Sequence, residues 1–172
     1  MIQLAKKLTE LNVIGTASRS ESQEWVKLQG AHQVIEQSQP LSSEMARIGV
    51  GQTDFIVSLT HTDQHFAQIV EVIAPQGRFG LIDDPAPIDV RLLKRKSVSL
   101  HWELKFTRSI FQTDDMKAQQ AILSRMAELV DTGTVASTVS DHYGRINATN
   151  LKRAYALLES GKSRGKIVLA GF

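Results

Sequence analysis

Cysteine is absent from this 172-residue chain, which excludes disulfides and any cysteine-ligated metal. That usage fits a cytoplasmic protein. No apolar run approaches the roughly 18 residues that a membrane span needs. The N-terminal stretch MIQLAKKLTELNV carries paired lysines among its apolar residues, so it does not read as a signal peptide. A soluble protein without a membrane partner is expected. An excess of one charge is also lacking: 20 Lys and Arg face 18 Asp and Glu, a formal net charge of +2 despite a pI near 9.0. The longest basic block is Lys94-Arg95-Lys96, and the aromatics are not interleaved with basic residues. No nucleic-acid partner is expected on this footing. Internal repeats and low-complexity segments are missing as well.

What is present is an ordinary globular balance, 42% hydrophobic and 22% charged, in a chain long enough for a real core. Residues 2–11 place Ile2, Leu4, Ala5, Leu8 and Leu11 at helical spacing. Short apolar runs and helical patterns then alternate. Residues 13–17 read as a buried strand. The next helix spans 20–29, with capping boxes at Ser18/Glu21 and Ser20/Gln23, and ends at Gly30. Val34-Ile35 is a strand, 41–49 a helix stopped at Gly49, 54–59 a strand and 62–74 a helix. Pro75-Gln76-Gly77 reads as a turn before the strand 78–82, which ends at Asp83-Asp84-Pro85. This alternation implies parallel βαβ units, hence an α/β fold with a doubly wound sheet. The segment 12–36 by itself reads as half of a dinucleotide-binding unit.

Past residue 96 the pattern changes. SVSLHWEL, residues 97–104, alternates strictly and reads as an edge strand with unequal faces. The longest helix is expected over 114–132, capped near Thr113-Asp114 and closed by Gly133. VASTVSDHYG and GKIVLAGF read as strands that bracket the helix NATNLKRAYALLESG.

The closing run NLKRAYALLESGKSRGKIVLAGF resembles the last helix and strand of the medium-chain dehydrogenase/reductase superfamily, in its quinone-reductase and zinc-type alcohol-dehydrogenase-like branches. APQGRFGLIDD, SVSLHWEL and the order of elements agree with it. The resemblance implies a catalytic domain of chaperonin-10-like fold followed by a Rossmann domain for a nicotinamide cofactor. Met1-Ile2-Gln3-Leu4 resembles the interior of the first Rossmann helix. The expectation is therefore a Rossmann-like sheet lacking its first strand and glycine loop. These, with the catalytic domain, would lie upstream of Met1 in a longer parent chain. Residues 1–133 are expected to be the truncated NADP-binding domain, and 134–172 a strand–helix–strand segment that packs on the catalytic domain.

Candidate site residues follow the strand ends. Ser18-Arg19 stands where an acidic residue would hold the ribose hydroxyls of NAD. An arginine with hydroxyls there suits the 2′-phosphate of NADP(H); the alternative is a helix cap beside a solvated arginine. Leu59, Thr60 and His61 follow a parallel strand, where the resemblance puts the nicotinamide ribose; alternatively Thr60 or Thr62 caps the next helix. Asp83-Asp84 reads either as a carboxylate pair or as a turn. By the resemblance, Trp102, Glu103 and Leu104 line the nicotinamide pocket. Arg164, with Lys166, could reach cofactor phosphates or be surface charge, and Gln37 stands where many relatives carry a tyrosine against adenine. His61 and His65 are four apart, but Thr62 replaces the glutamate of the zincin pattern, and zinc is not supported by this segment. No catalytic residue is assigned. The expected function is hydride transfer to a carbonyl or quinone, with this chain as the cofactor-binding part. The competing reading is a truncated, non-catalytic nucleotide-binding or dimerisation module. Strand 97–104 is the expected homodimer edge.

Overall fold

A computed structural model describes all residues, Met1–Phe172. Helices and strands follow one another as α1 (Ile2–Leu8), β1 (Ile14–Thr16), α2 (Ser20–Leu28), β2 (Gln33–Ile35), α3 (Leu41–Arg47), β3 (Thr53–Ser58), α4 (Thr62–Val72) and β4 (Ile73–Leu81). A 3-10 segment at Val90–Lys96 precedes β5 (Ser99–Trp102), α5 (Thr107–Phe111), α6 (Ala118–Asp131), β6 (Val139–His142), α7 (Ala148–Glu159) and β7 (Lys166–Val168). Every strand pair is parallel. The fold is the Rossmann-like α/β arrangement that the alternating pattern implies.

The strands form three separate ladders: β1–β2, β3–β4–β5 and β6–β7. No backbone hydrogen bond joins β1 to β3, so each leaves one edge unpaired. Phe55 and Val57, two apart and so on one face of β3, are 49% and 47% exposed, in a strand whose composition suits an interior. The first two ladders are held together by side chains instead. Ile35 of β2, Met45 of α3 and Val72 of α4 form one apolar cluster, on which Ile14 of β1 and Ile56 of β3 both pack. Helix α4 also serves the larger cluster, where its Phe66 and Ile69 meet Ile73, Phe79 and Leu81 of β4 and Leu93. One amphipathic helix therefore stitches two sheets.

Local geometry follows from specific residues. Gly15 lets β1 approach α2 closely, because a Cβ there would run into Val26. Helix α4 ends without a glycine. Its last carbonyls are satisfied from outside by the Lys96 ammonium, which donates to the carbonyls of Val70, Glu71 and Ile73 at 2.9, 2.8 and 2.6 Å.

Several local expectations are revised. The turn at 75–77 is a bulge inside β4, not a break before it. Thr53 pairs Ile73 while Phe55 already pairs Arg78, and Gln76 takes a left-handed φ of 63° to absorb the excess. The capping boxes of α2 are not formed: Arg19 is the N-cap and no side chain caps it. Helix α6 starts at Ala118, because Asp115 accepts hydrogen bonds from Thr113 and Arg108 in a turn of its own. Asn147, in contrast, caps α7 through the amide of Asn150 at 2.9 Å. Only 19 of 172 residues are buried, a small core for this length, and Phe106, Ile110 and Phe111 are left more than half exposed.

Glu44 is the one buried charged residue. Its carboxylate accepts from two of the three Arg47 guanidinium nitrogens, each at 2.8 Å, and from the Glu36 amide at 2.7 Å. The Arg47 bonds first, and the Glu36 amide second, lower its pKa from 4.5 to about 2. A depressed folded-state pKa contributes stability above the unfolded value, and that contribution is lost as pH falls from 4.5 towards about 2. The variant Glu44→Gln should melt lower at pH 7 and show a flatter acid limb across that window in calorimetry at stepped pH. An acid limb as steep as in the parent protein would mean that other carboxylates carry it.

A candidate cofactor site at the carboxyl edge of the sheet

In the three-stranded sheet, Ser58, Leu81 and Trp102 are register partners across β3, β4 and β5. The three strands end on one line, and the chain leaves each through a loop on the same side. Open α/β sheets place ligands at such an edge. Leu59-Thr60-His61 and Trp102-Glu103-Leu104 therefore lie on one rim. All six are exposed, Trp102 by 58%. The Glu103 amide donates to the Leu81 carbonyl at 3.0 Å, extending the ladder one step beyond β5. Beside it opens a shallow, polar cavity of about 220 Å³, bounded by these three residues and by Thr107, Arg108 and Asp115.

The turn between β3 and α4 is tied at both ends. Ser58 is buried and Thr62 fully so, and their hydroxyls lie 2.7 Å apart. Asp83, just past β4, accepts the Thr62 hydroxyl with one carboxylate oxygen and the Thr62 amide with the other, at 3.1 Å. The hydroxyl bond is the main cause holding the Asp83 carboxyl below its usual range, and the amide adds to it. The expected cap on Thr60 or Thr62 is thus replaced by one supplied from the neighbouring strand. Asp83 and Asp84 do not act as a pair; Asp84 faces solvent. His61, the N-cap residue, makes no side-chain cap and sits in the left-handed region at φ 54°.

A second group forms at the end of β1. The Arg19 guanidinium donates to the Gly161 carbonyl at 3.3 Å, and the Arg164 guanidinium to the Glu21 carbonyl at 3.5 Å. Neither arginine takes part in an ion pair. Ser18 is exposed beside them. Each arginine thus reaches across to the segment that carries the other, tying the start of α2 to residues 161–164. Gln37 lies near His65, at 3.3 Å between side-chain nitrogens, so His65 turns toward Gln37. Lys166 opens β7 and is exposed. No group of three or more His, Asp or Glu side chains is arranged to hold a metal.

The structure therefore brings the nine candidate residues into two groups, one on the β3–β5 edge and one at α2. Ser58, Thr62 and Asp83 escape a reading of the sequence as a linked set. The TDQHFAQIV helix start and the DDP turn are visible, but spacing cannot show that one caps the other.

Comparison with known proteins identifies the family. The family model described as zinc-binding dehydrogenase matches residues 29–169. The chain belongs to the zinc-binding dehydrogenase family. A zinc-type alcohol dehydrogenase-like protein of Staphylococcus aureus is 30% identical over 171 residues, 97% of this chain and 50% of that protein. A Rhizobium etli protein assigned to the zinc-dependent alcohol dehydrogenases is 53% identical, with a TM-score of 0.92 over 99% of this chain and 50% of its own. A mycobacterial protein whose structure holds NADPH shares the fold at 22% identity, with a TM-score of 0.77 over 98% of this chain and 51% of that one. This family member thus spans about half the length of the relatives it matches.

The left-handed His61 gives a test. An L-residue in that region costs about 1 kcal/mol, and glycine removes the cost. His61→Gly should melt at or above the parent temperature while His61→Ala melts no higher. Equal losses for both variants would show that imidazole contacts, not backbone strain, dominate at this turn.

Proposed function

We propose that this chain is the cofactor-binding part of a cytoplasmic NADP(H)-dependent oxidoreductase that transfers hydride to a carbonyl or quinone. The observation that carries the reading is the pair of crossing contacts in which Arg19 reaches the Gly161 carbonyl and Arg164 the Glu21 carbonyl, both arginines being free of carboxylate partners. Guanidinium pairs bind phosphate oxygens in fixed, charge-assisted geometry. Ser18, Arg19 and Arg164 hold the 2′-phosphate. Leu59, Thr60 and His61 lie beside the nicotinamide ribose, and Trp102, Glu103 and Leu104 wall the nicotinamide. The NADPH held by the mycobacterial neighbour supports a nicotinamide cofactor here. The cofactor supplies the hydride when bound; this chain's residues bind and orient it.

Zinc is a different matter. The family name implies it, yet the chain has no cysteine and no cluster of ligating side chains. The residues present do not fit the metal, and no step is assigned to it. The glycine loop for the diphosphate and the substrate pocket belong, in this proposal, to the length of the relatives that these 172 residues do not cover. Residues 1–133 form the cofactor unit and 134–172 the segment that packs on a catalytic domain.

The same reading includes a homodimer through strand 97–104. Strand β5 pairs only with β4 and leaves its outer edge free, while Trp102, Leu104 and Phe106 stand more than half exposed next to it. Two copies related by a two-fold axis extend the sheet antiparallel.

Fluorescence titration should show NADPH binding more tightly than NADH. Arg19→Ala should weaken NADPH about tenfold, the loss of one charge-assisted contact, and leave NADH unchanged. Equal affinities in the parent protein would remove the role given to Arg19. For the dimer, Leu100→Pro is informative because the Glu103 amide points inward to Leu81, so the alternation of the strand points the Leu100 amide outward. Light scattering should find a parent dimer and a monomeric variant with parental circular dichroism. A monomeric parent, or a variant dimer of undiminished affinity, would refute this interface.

A further inference from the structure

The turn 59–61 is an unusual object: its middle is exposed, its ends are buried, and it carries a backbone conformation that an L-residue resists. Leu59, Thr60 and His61 face solvent, whereas Ser58 and Thr62 are enclosed. His61 sits at φ 54° without a side-chain cap. A strained residue keeps such a conformation only when its surroundings over-determine it. Here the constraint comes from outside the turn. Both oxygens of Asp83 grip Thr62, one through its hydroxyl and one through its amide, and the Thr62 hydroxyl also touches Ser58. No lysine or arginine pairs with Asp83. Both of its side-chain hydrogen bonds go to one residue, Thr62, which opens α4.

We infer that Asp83 is a positioning residue for the cofactor site: acting through Thr62, it fixes the Leu59–His61 turn in the shape that meets the nicotinamide end of the bound cofactor. The inference rests on the proposed function. Asp83 makes no hydrogen bond to Leu59, Thr60 or His61, so it holds the turn through Thr62. The Thr62 amide is also among the unpaired donors at the start of α4, where a carboxylate is favoured by the helix dipole. A negative carboxylate is what this geometry requires, and the bonds from Thr62 keep Asp83 in that form. The same three groups serve β3, β4 and α4 at once. The ends of β3 and β4 and the start of α4 are thereby tied into one piece.

A residue that merely stabilised the fold would affect every ligand alike, and this difference supplies the test. The full 172-residue chain is prepared as Thr62→Val, which keeps the shape and removes the hydroxyl, as Thr62→Ser, which keeps the hydroxyl, and as Asp83→Asn. Amide exchange, followed by NMR without any ligand, reads the turn directly. The Thr62 amide, the donor that Asp83 holds, should exchange about tenfold or more faster in Thr62→Val and Asp83→Asn and at the parental rate in Thr62→Ser, while exchange over Phe66–Val72 stays unchanged. Each protein is then titrated with NADPH and with adenosine 2′,5′-bisphosphate, which carries the 2′-phosphate but no nicotinamide. Thr62→Val should lose about tenfold in NADPH affinity, with a weaker rise in nicotinamide fluorescence, and keep parental affinity for the bisphosphate. Unchanged exchange at the Thr62 amide overturns the inference. So does an equal loss for both ligands, or a Thr62→Ser variant that fails to restore binding. A parent protein that binds neither ligand overturns the cofactor reading itself, and the exchange result separates that failure from a failure of the latch.

Discussion

Strand β4 is the only strand with hydrogen-bonded partners along both edges, and the remainder of the molecule is arranged around that constraint. Its Ile73, Phe79 and Leu81 are the most completely buried apolar side chains of the chain. Phe66 of α4 reaches Phe79 with ring centroids 6.1 Å apart, fixing the helix across the strand it precedes. Because α4 also sends Val72 into the second cluster, the position of β1 and β2 relative to β4 is set by side chains: by this packing, by the Leu41 amide donating to the Gln68 side chain at 2.8 Å, and by Gln37 beside His65. The β1–β2 ladder is thus joined to the larger sheet through side-chain contacts and not through a shared backbone ladder.

The two groups of site residues inherit this difference. The rim formed by β3, β4 and β5 is held by register and by the Asp83–Thr62 bonds. The cationic group at α2 rests on two long hydrogen bonds between guanidiniums and carbonyls, at 3.3 and 3.5 Å. Such bonds leave most guanidinium donors free. Gln3 adds a firmer tie between the N-terminal helix and the last segment, giving and receiving a hydrogen bond with the Ala136 backbone at 3.0 and 2.8 Å. The α2 group therefore stands between two parts of the chain that are distant in sequence and joined by few contacts.

The sequence pattern located the elements well wherever one physical signal dominated. The apolar run at 54–59 and the spacing through α4 are local features, and each appears where expected. Local signals failed where a distant group competed for the same atoms. Ser18 and Ser20 have the right spacing to cap α2, but Gln23 turns to the Ala17 carbonyl at 3.2 Å instead of completing a box. Thr113 and Asp114 looked like the start of α6, yet the Arg108–Asp115 bond closes a separate turn first. The Pro75-Gln76-Gly77 signal was a real bend, absorbed within a strand because flanking Ile73 and Phe79 are both claimed by the core. The candidate residues at strand ends were legible because a parallel sheet must end all its strands on one side. The partnership of Asp83 with Thr62 was not legible, since 21 positions separate them.

The ammonium of Lys96 at the end of α4 has a chemical consequence of its own. Three carbonyls converge on one nitrogen, and a tetrahedral ammonium has three protons to give them. A guanidinium is flat and presents its protons as a fork, so arginine cannot reproduce this convergence. Acetylation would leave a single proton on that nitrogen and remove its charge. At this one position of the KRK triplet, the nearest chemical substitute and the commonest lysine modification are both incompatible with a closed helix end. Lys94 and Arg95, which are exposed and make no comparable bonds, carry no such restriction.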